Sequence, residues 1–144
     1  MPKPYASAVI DAPVNKVWEA VRAFGAIADW HPALDTCVLQ EGGDHTVGAV
    51  RRLTAGDAVF VERLTGLDDV AFVQTYEFLE SPFPVRRYHA TIRVAPITAS
   101  GQAFAEWWAD YEADEAETVR LTPFFRDAVF AAGLAELGEY ARKR

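Results

Sequence analysis

The hydrophobic pattern near the start of the chain predicts one strand followed by an amphipathic helix. Residues 5–10 form the strand, which Asp11-Ala12-Pro13 ends. Asp11 is the expected cap of the helix, and Pro13 lies in its first turn. The apolar positions of this helix, spaced as one buried face requires, are Val14, Val17, Trp18, Val21 and Phe24. A second short helix is predicted over residues 25–32, where Pro32 ends it.

A meander of six strands is predicted in the middle of the chain, with turns rich in glycine, proline and aspartate. The clearest alternation of apolar and polar residues is in 88–96, where Tyr88 and Ala90 lie on the apolar face. A sheet with one covered face has this pattern. The predicted strands are 34–41, 47–54, 58–65, 71–80, 88–96 and 103–112.

The last thirty residues are predicted to be helical, and Thr122-Pro123 has the form of a cap followed by a proline in the first turn. An approximate apolar stripe follows at Phe125, Val129, Ala132, Leu137 and Tyr140. Residues 1–144 are therefore expected to form one α+β domain. In it, a curved antiparallel sheet of about seven strands wraps around a long C-terminal helix, with two short helices near the N-terminus. Such a sheet cannot close tightly on one helix everywhere, so a cavity between them is expected.

A charged pair is predicted on the inner face of this sheet. Gly56-Asp57 is an acceptable two-residue hairpin turn, and it places Arg51 directly opposite Glu62. The same register puts Leu53 opposite Phe60, so the two charges share a face with apolar residues. An unpaired buried charge is very costly. The two residues are therefore either a structural ion pair or the polar end of a ligand cavity.

The next strand extends this row if the turn over 68–70 holds three residues, because Glu62 then lies opposite Tyr76. Tyr88 is expected to join the row from the strand that follows. The apolar flank of the row is expected to be Phe60, Phe72 and Phe78. Apolar walls with a few convergent polar groups are typical of a small-molecule site. The alternative is a core ion pair among packed tyrosines.

Two positions are left open by the pattern. On strand 103–112, parity favours Trp107 inward and Glu106 outward, although a bulge would reverse this. A glycine inside a helix costs about 1 kcal/mol relative to alanine, so Gly133 needs a reason. It either widens a cavity or permits close contact between helix and sheet.

The composition disfavours several classes of function. A net charge of −7 argues against binding to nucleic acid and to anionic membranes, both of which need clustered Lys and Arg. The three histidines, at 31, 45 and 89, lack the spacing of metal ligands, and no metal or cofactor is expected. No signal peptide or membrane-spanning run is evident, and the single Cys37 suits a reducing compartment. The cytoplasm is the expected location, with the chain as a monomer or homodimer.

Five segments carry a family resemblance: APVNKVWEAVRAFGAIADWHP, VGAVRRL, VERLTGLDD, YHATIRVAP and FAAGLAEL. They cover nearly the whole chain and resemble the SRPBCC superfamily. That group includes START domains, birch pollen allergen relatives, plant abscisic acid receptors and bacterial polyketide cyclase/dehydrase-like proteins. The resemblance implies a helix-grip fold, a bacterial source and a small hydrophobic ligand, lipids included. It is weak for activity, because this fold supports binding, transport and catalysis alike.

The resemblance to the abscisic acid receptors implies a set of ligand-facing residues. It places Glu62 and Tyr88 in the cavity, with Arg51 and Tyr76 on the same inner face. It also favours Glu106 pointing inward. The residues of the terminal helix that it turns toward the ligand are Phe125, Val129, Phe130 and Gly133. The expected contacts are completed by Phe60, Phe78 and Trp107.

Two departures separate the chain from those receptors. The lysine that holds the hormone's carboxylate in the receptors is matched by His31 here. Their longer gate loop is matched by the short segment 54–57, and their latch by Phe83-Pro84-Val85. A gated hormone sensor is therefore not expected.

Two functions remain. The first is binding of a small hydrophobic or aromatic molecule without turnover. The second is catalysis as a polyketide cyclase, aromatase or dehydratase, with His31 and Glu62 as acid–base residues. Tyr76 or Tyr88 would then donate to a developing enolate. Two points weigh against catalysis: Arg51 is expected to lower the pKa of Glu62, and His31 has an alternative role as the cap of its own turn. A chaperone-interaction domain is disfavoured, because the inner face carries paired polar groups.

Overall fold

The computed structural model describes residues 3–144. The strands in this part of the chain are β1 (Tyr5–Ile10), β2 (Thr36–Glu41), β3 (Val50–Ala55), β4 (Ala58–Asp68), β5 (Val73–Glu80), β6 (Arg87–Pro96) and β7 (Ala103–Glu112). Helix α1 (Val14–Arg22) and a 3₁₀-helix (Phe24–Asp29) lie between β1 and β2. After β7 come α2 (Glu115–Phe124), a π-helical segment (Phe125–Ala131) and α3 (Ala132–Arg142). These three follow without a break and together form the C-terminal helix.

The strands form one antiparallel sheet in the order β1-β7-β6-β5-β4-β3-β2. Strands β2 to β7 pair with their neighbours along the chain, so each pairing needs only a local turn. Strand β1 closes the row beside β7, with Ala8 opposite Ala105. The curved sheet and the long C-terminal helix confirm the predicted α+β helix-grip fold.

The core lies between the inner face of the sheet and the helices. On β6 the predicted alternation is present, since Tyr88, Ala90 and Ile92 are buried. The C-terminal helix turns five large apolar side chains, each 1% exposed or less, toward them: Leu121, Phe125, Phe130, Leu134 and Leu137. Full burial of one such side chain is worth about 1.5–3 kcal/mol. This face therefore holds the helix on the sheet.

Helix α1 is anchored at a turn of the sheet. Its predicted apolar face is buried, and Trp18 donates from Nε1 to Oδ1 of Asp69 at 2.8 Å. Arg22 donates to both oxygens of the same carboxylate. The expected Asp11 cap is wrong, because Pro13 takes the position before the first helical residue and no side chain caps the helix there. The carbonyl of Pro13 instead accepts the first helical hydrogen bonds.

The C-terminal helix begins earlier than the proline signal indicates. It starts at Glu115 after Asp114, so Thr122-Pro123 is not its cap and Pro123 lies inside the helix. Proline has no N–H to donate to the carbonyl four residues before it. The π-helical turns follow directly after this interruption. Across residues 3–144, no helix is long and apolar enough to cross a membrane.

The predicted register of β3 against β4 is correct, whereas that of β4 against β5 is wrong by three residues next to the turn and, beyond an irregularity between Leu64 and Gly66, by two at Glu62. Arg51 pairs with Glu62 as expected, but Glu62 lies opposite Phe78 rather than Tyr76. The turn is longer than predicted because the Asp68 carboxylate accepts two backbone N–H groups within it. At Leu64 the shift is an even number of residues, so Tyr76 still points inward.

At Gly133 the C-terminal helix approaches the residues beneath it too closely for a side chain. A Cβ atom built there would lie 2.7 Å from Trp107 and 2.8 Å from His31. Both rings are buried, so neither can move aside easily. Close packing, and not added space, is therefore the reason for this glycine.

We expect Gly133→Ala to lower the free energy of unfolding by about 1–3 kcal/mol, because the methyl group overpacks a full site. Gly138→Ala is the matched control on the same helix, since a Cβ there meets only Ile10 at an ordinary 3.6 Å. Gly138→Ala should raise the free energy of unfolding by up to about 1 kcal/mol, because alanine has a higher helix propensity than glycine. Urea denaturation of both variants measures the difference. Equal stability of the two would contradict the packing argument.

Candidate functional site

A cavity of about 330 Å³ lies between the inner face of β3–β7 and the C-terminal helix. Its wall is mainly apolar and aromatic, with a few polar groups. Ten residues predicted from the sequence contribute to it: His31, Arg51, Phe60, Glu62, Tyr76, Phe78, Tyr88, Trp107, Phe125 and Val129.

The polar end of the cavity is formed by the Arg51–Glu62 ion pair. Arg51 donates from Nε at 2.9 Å and from Nη2 at 2.7 Å, both to Oε1 of Glu62. Its Nη1 donates to the carbonyl of Phe24 at 2.8 Å, and its Cζ lies 3.9 Å from the centre of the Phe24 ring. The pair thus ties β3 and β4 to the 3₁₀-helix.

Burial governs the protonation of the groups around this pair. It raises the pKa of Glu62 above its ordinary value, although the charge and hydrogen bonds of Arg51 act in the opposite direction. Arg51 thus lowers this pKa as expected, but the opposite effect of burial is larger. Burial also raises the pKa of Tyr76 and of Tyr88. Both phenols are neutral at physiological pH and can donate hydrogen bonds.

The two tyrosines are held in place by different contacts. The Tyr76 hydroxyl accepts a hydrogen bond from Nε1 of Trp107 at 3.1 Å. Tyr88 stacks on Phe78 with ring centres 3.8 Å apart, and its ring meets Phe125 edge-on. This packing fixes the orientation of both phenols.

His31 has both ring nitrogens occupied by the protein. Nδ1 accepts the backbone N–H of Ala33 at 3.1 Å, so Nε2 carries the proton that it donates to the carbonyl of Val129 at 2.8 Å. Burial lowers the pKa of the imidazole, and the charge of Arg51 lowers it further. The neutral ring therefore caps its own turn and joins it to the π-helical segment. No lone pair remains to accept a proton from a ligand.

Comparison with known proteins identifies the family. A family model described as polyketide cyclase / dehydrase and lipid transport matches residues 1–142. The chain belongs to this family, within the SRPBCC superfamily.

Solved structures of similar proteins cover nearly the whole chain. A Thermobifida fusca protein solved by NMR is 31% identical over 99% of this chain and 95% of that one, with a TM-score of 0.90. XoxI from Bacillus cereus is 28% identical over 99% of this chain and 96% of its own, with a TM-score of 0.86. A Thalictrum norcoclaurine synthase mutant bound to a transition-state analogue is 16% identical over 99% of this chain and 94% of its own, with a TM-score of 0.79. The last likeness shows the fold alone.

Three residues expected to face the ligand in this SRPBCC protein lie elsewhere. Glu106 is on the outer face of β7, where it accepts from the Tyr5 hydroxyl and from Arg93, so the inward orientation is wrong. Phe130 packs on Trp107 with ring centres 5.1 Å apart and does not reach the cavity wall. Gly133 contacts the same tryptophan from above.

Other residues of the wall were not expected from the sequence. The most prominent is Phe83, which extends from the β5–β6 loop and meets Phe125 edge-on at 5.1 Å. Phe124, at the mouth of the cavity, is 43% exposed. Two prolines stiffen the loop that carries Phe83, and the match of this segment to the receptors' latch was the other indication of its position. Leu53 joins the wall from the inner face that its pairing with Phe60 predicted, and the remaining residues of the wall are Ile27, Ala33, Leu34, Ala55 and Ala128.

Removing one half of the ion pair should destabilise this family member strongly. Glu62→Leu leaves Arg51 buried without its partner, and we expect a loss of about 3–5 kcal/mol in the free energy of unfolding. Arg51→Met/Glu62→Leu removes both charges and should recover more than half of that loss. Urea denaturation checks both variants. A double variant that is as unstable as Glu62→Leu, or less stable, would contradict the pairing.

The lowered pKa of His31 predicts a stability that depends on pH. The unfolded chain takes up a proton near pH 6.5, whereas the folded protein resists protonation until a lower pH. Stability should therefore fall as pH drops from about 7 to 5. His31→Gln, whose amide can still donate to Val129, should show a smaller fall. Denaturation curves at several pH values measure the free energy of unfolding of the wild-type protein and of His31→Gln. The same dependence on pH in both proteins would refute the argument.

Proposed function

We propose that the protein binds a small hydrophobic or aromatic molecule in the cavity between the sheet and the C-terminal helix. The observation that carries this proposal is the composition of the wall. Aromatic side chains from three separate elements converge on one space. The ring centre of Phe83 lies 5.6 Å from that of Phe60 and 5.1 Å from that of Phe125. The polar groups are confined to one end. Small-molecule sites have this arrangement of apolar walls and few orienting groups.

The size of the cavity favours a compact ligand. Its volume of about 330 Å³ is near the lower limit of the roughly 300–1,000 Å³ common for small-molecule sites. A fused two-ring aromatic molecule suits this space better than a long acyl chain. The mouth lies where Ala33, Phe124 and Ala128 are exposed. Small side chains at two of these positions leave a path for the ligand.

Titration with 2-methoxynaphthalene in a calorimeter tests the proposal. We expect binding in about the micromolar range, with one site per chain. Ala128→Trp fills the mouth and should weaken binding at least about tenfold, which corresponds to a loss of about 1.4 kcal/mol in binding free energy. Ala135→Trp is the matched control, because it adds the same ring to an exposed position of α3 away from the cavity. Binding that is unaffected by Ala128→Trp would refute the proposal, and so would a failure of this ether and of its hydroxyl and carboxylate analogues alike to bind.

Native mass spectrometry of freshly purified protein provides a second readout. A molecule that co-purifies with the wild-type chain should be absent from the Ala128→Trp variant. Its mass would identify the natural ligand class directly.

One observation favours a second candidate, a polyketide cyclase or dehydratase. The Glu62 carboxyl, whose pKa is raised by burial, and the Tyr88 hydroxyl line the same cavity. A carboxylate could take a proton from a carbon between two carbonyls, while the phenol stabilises the enolate oxygen. His31 has no part in this proposed chemistry, because both of its ring nitrogens are already hydrogen-bonded within the protein.

Incubation with a panel of poly-β-keto substrates tests the second candidate. An enzyme should form cyclised or dehydrated product, and Glu62→Gln should reduce the rate by about 10²–10⁴-fold without abolishing binding. If the wild-type chain forms no more product than buffer does, the protein is a binding protein only.

A further inference from the structure

The two charged residues at the polar end differ in what they still offer to a ligand. All three nitrogen atoms of Arg51 already donate, two to Glu62 and one to the Phe24 carbonyl. Its side chain is 1% exposed, and its Cζ lies 4.9 Å from the ring centre of Tyr76. Three of the five N–H groups of Arg51 are used in this way, and because the side chain is almost fully buried, a ligand carboxylate would meet little of the guanidinium while Glu62 stays in place.

Glu62, in contrast, keeps one oxygen free. Both hydrogen bonds from Arg51 end on Oε1, and no other donor among the described residues reaches Oε2. Within residues 3–144, the one side-chain nitrogen or oxygen that is sealed from solvent and lacks a partner is Nε1 of Trp30. Oε2 of Glu62 is therefore not sealed, and the space beside it is the cavity that Glu62 lines.

The net charge of the polar end is zero, because the guanidinium and the carboxylate neutralise each other. A charged ligand would enter an apolar cavity without a counter-ion, and an unpaired buried charge is very unfavourable. An uncharged ligand avoids this penalty. A carboxylate oxygen without a donor also carries an unmet hydrogen bond, which a ligand O–H or N–H can supply.

We infer that the ligand is an uncharged, compact aromatic molecule that donates one hydrogen bond to Oε2 of Glu62. A phenol is the simplest chemistry of this kind, and an alcohol or an amide N–H is equivalent. This inference rests on the proposed function and adds to it the polarity and charge of the ligand. The same geometry disfavours anionic aromatic acids, since Arg51 is buried and its charge is already paired with Glu62.

Calorimetric titration at pH 7 with three naphthalenes of matched size tests the inference. 2-Naphthol donates a hydrogen bond, 2-methoxynaphthalene does not, and 2-naphthoate is an anion. We expect 2-naphthol to bind at least about tenfold more tightly than the methyl ether, since a hydrogen bond to a charged group is involved. 2-Naphthoate should bind most weakly of the three. If none of them binds, the proposed function fails; if the ether or the acid equals the phenol, only this inference fails.

Two variants assign the effect to Glu62. Arg51→Met/Glu62→Leu removes both charges and should abolish the preference for 2-naphthol while still binding the ether. Tyr88→Phe keeps Glu62 and removes only a hydroxyl group, so the preference should remain. A preference lost in Tyr88→Phe would overturn the assignment, because the tyrosine would then be the partner. Should the double variant fail to fold, the wild-type and Tyr88→Phe titrations still decide the question.

Discussion

The buried pairing of Arg51 with Glu62 is the interaction on which the rest of the structure depends. It joins two neighbouring strands through side chains and reaches the 3₁₀-helix through the carbonyl of Phe24. Because each charge satisfies the other, a face that is otherwise apolar can carry two ionic groups. The aromatic residues around the pair therefore do not have to supply hydrogen bonds to either charge. The cavity inherits from this pairing one polar end and one apolar end.

The β3–β4 pairing could be predicted from the sequence because a two-residue turn leaves only one register. Gly56-Asp57 fixes Arg51 opposite Glu62 without further information. The β4–β5 pairing could not be predicted in the same way. Asp68 binds two backbone N–H groups of its turn, and Phe72 adopts a positive φ of 58°. Neither feature has a spacing signature, so the turn length was wrong while the inward face of Tyr76 was right.

The position of individual side chains depended on tertiary contacts that no local pattern contains. Glu106 lies outward because Tyr5 on β1 and Arg93 on β6 both donate to it. The start of the C-terminal helix was predicted too late because Thr122-Pro123 has the pattern of a helix cap. The acidic residues of the first turn at Glu115 indicate the observed start. Aromatic content and strand parity sufficed for most of the cavity wall. A loop residue such as Phe83 has neither periodicity nor a register, and only the folded chain places it.

The π-helical segment fixes the length of the chain between Pro123 and Gly133. Each residue of a helix turns the following part by about 100°. Loss or gain of one residue here would rotate α3 by that angle and take Leu134 and Leu137 away from the sheet. It would also bring a side chain, in place of a glycine, against Trp107. Insertions and deletions in related proteins should therefore accumulate in the hairpin turns and spare this stretch of helix, even though its wide turns are intrinsically unfavourable.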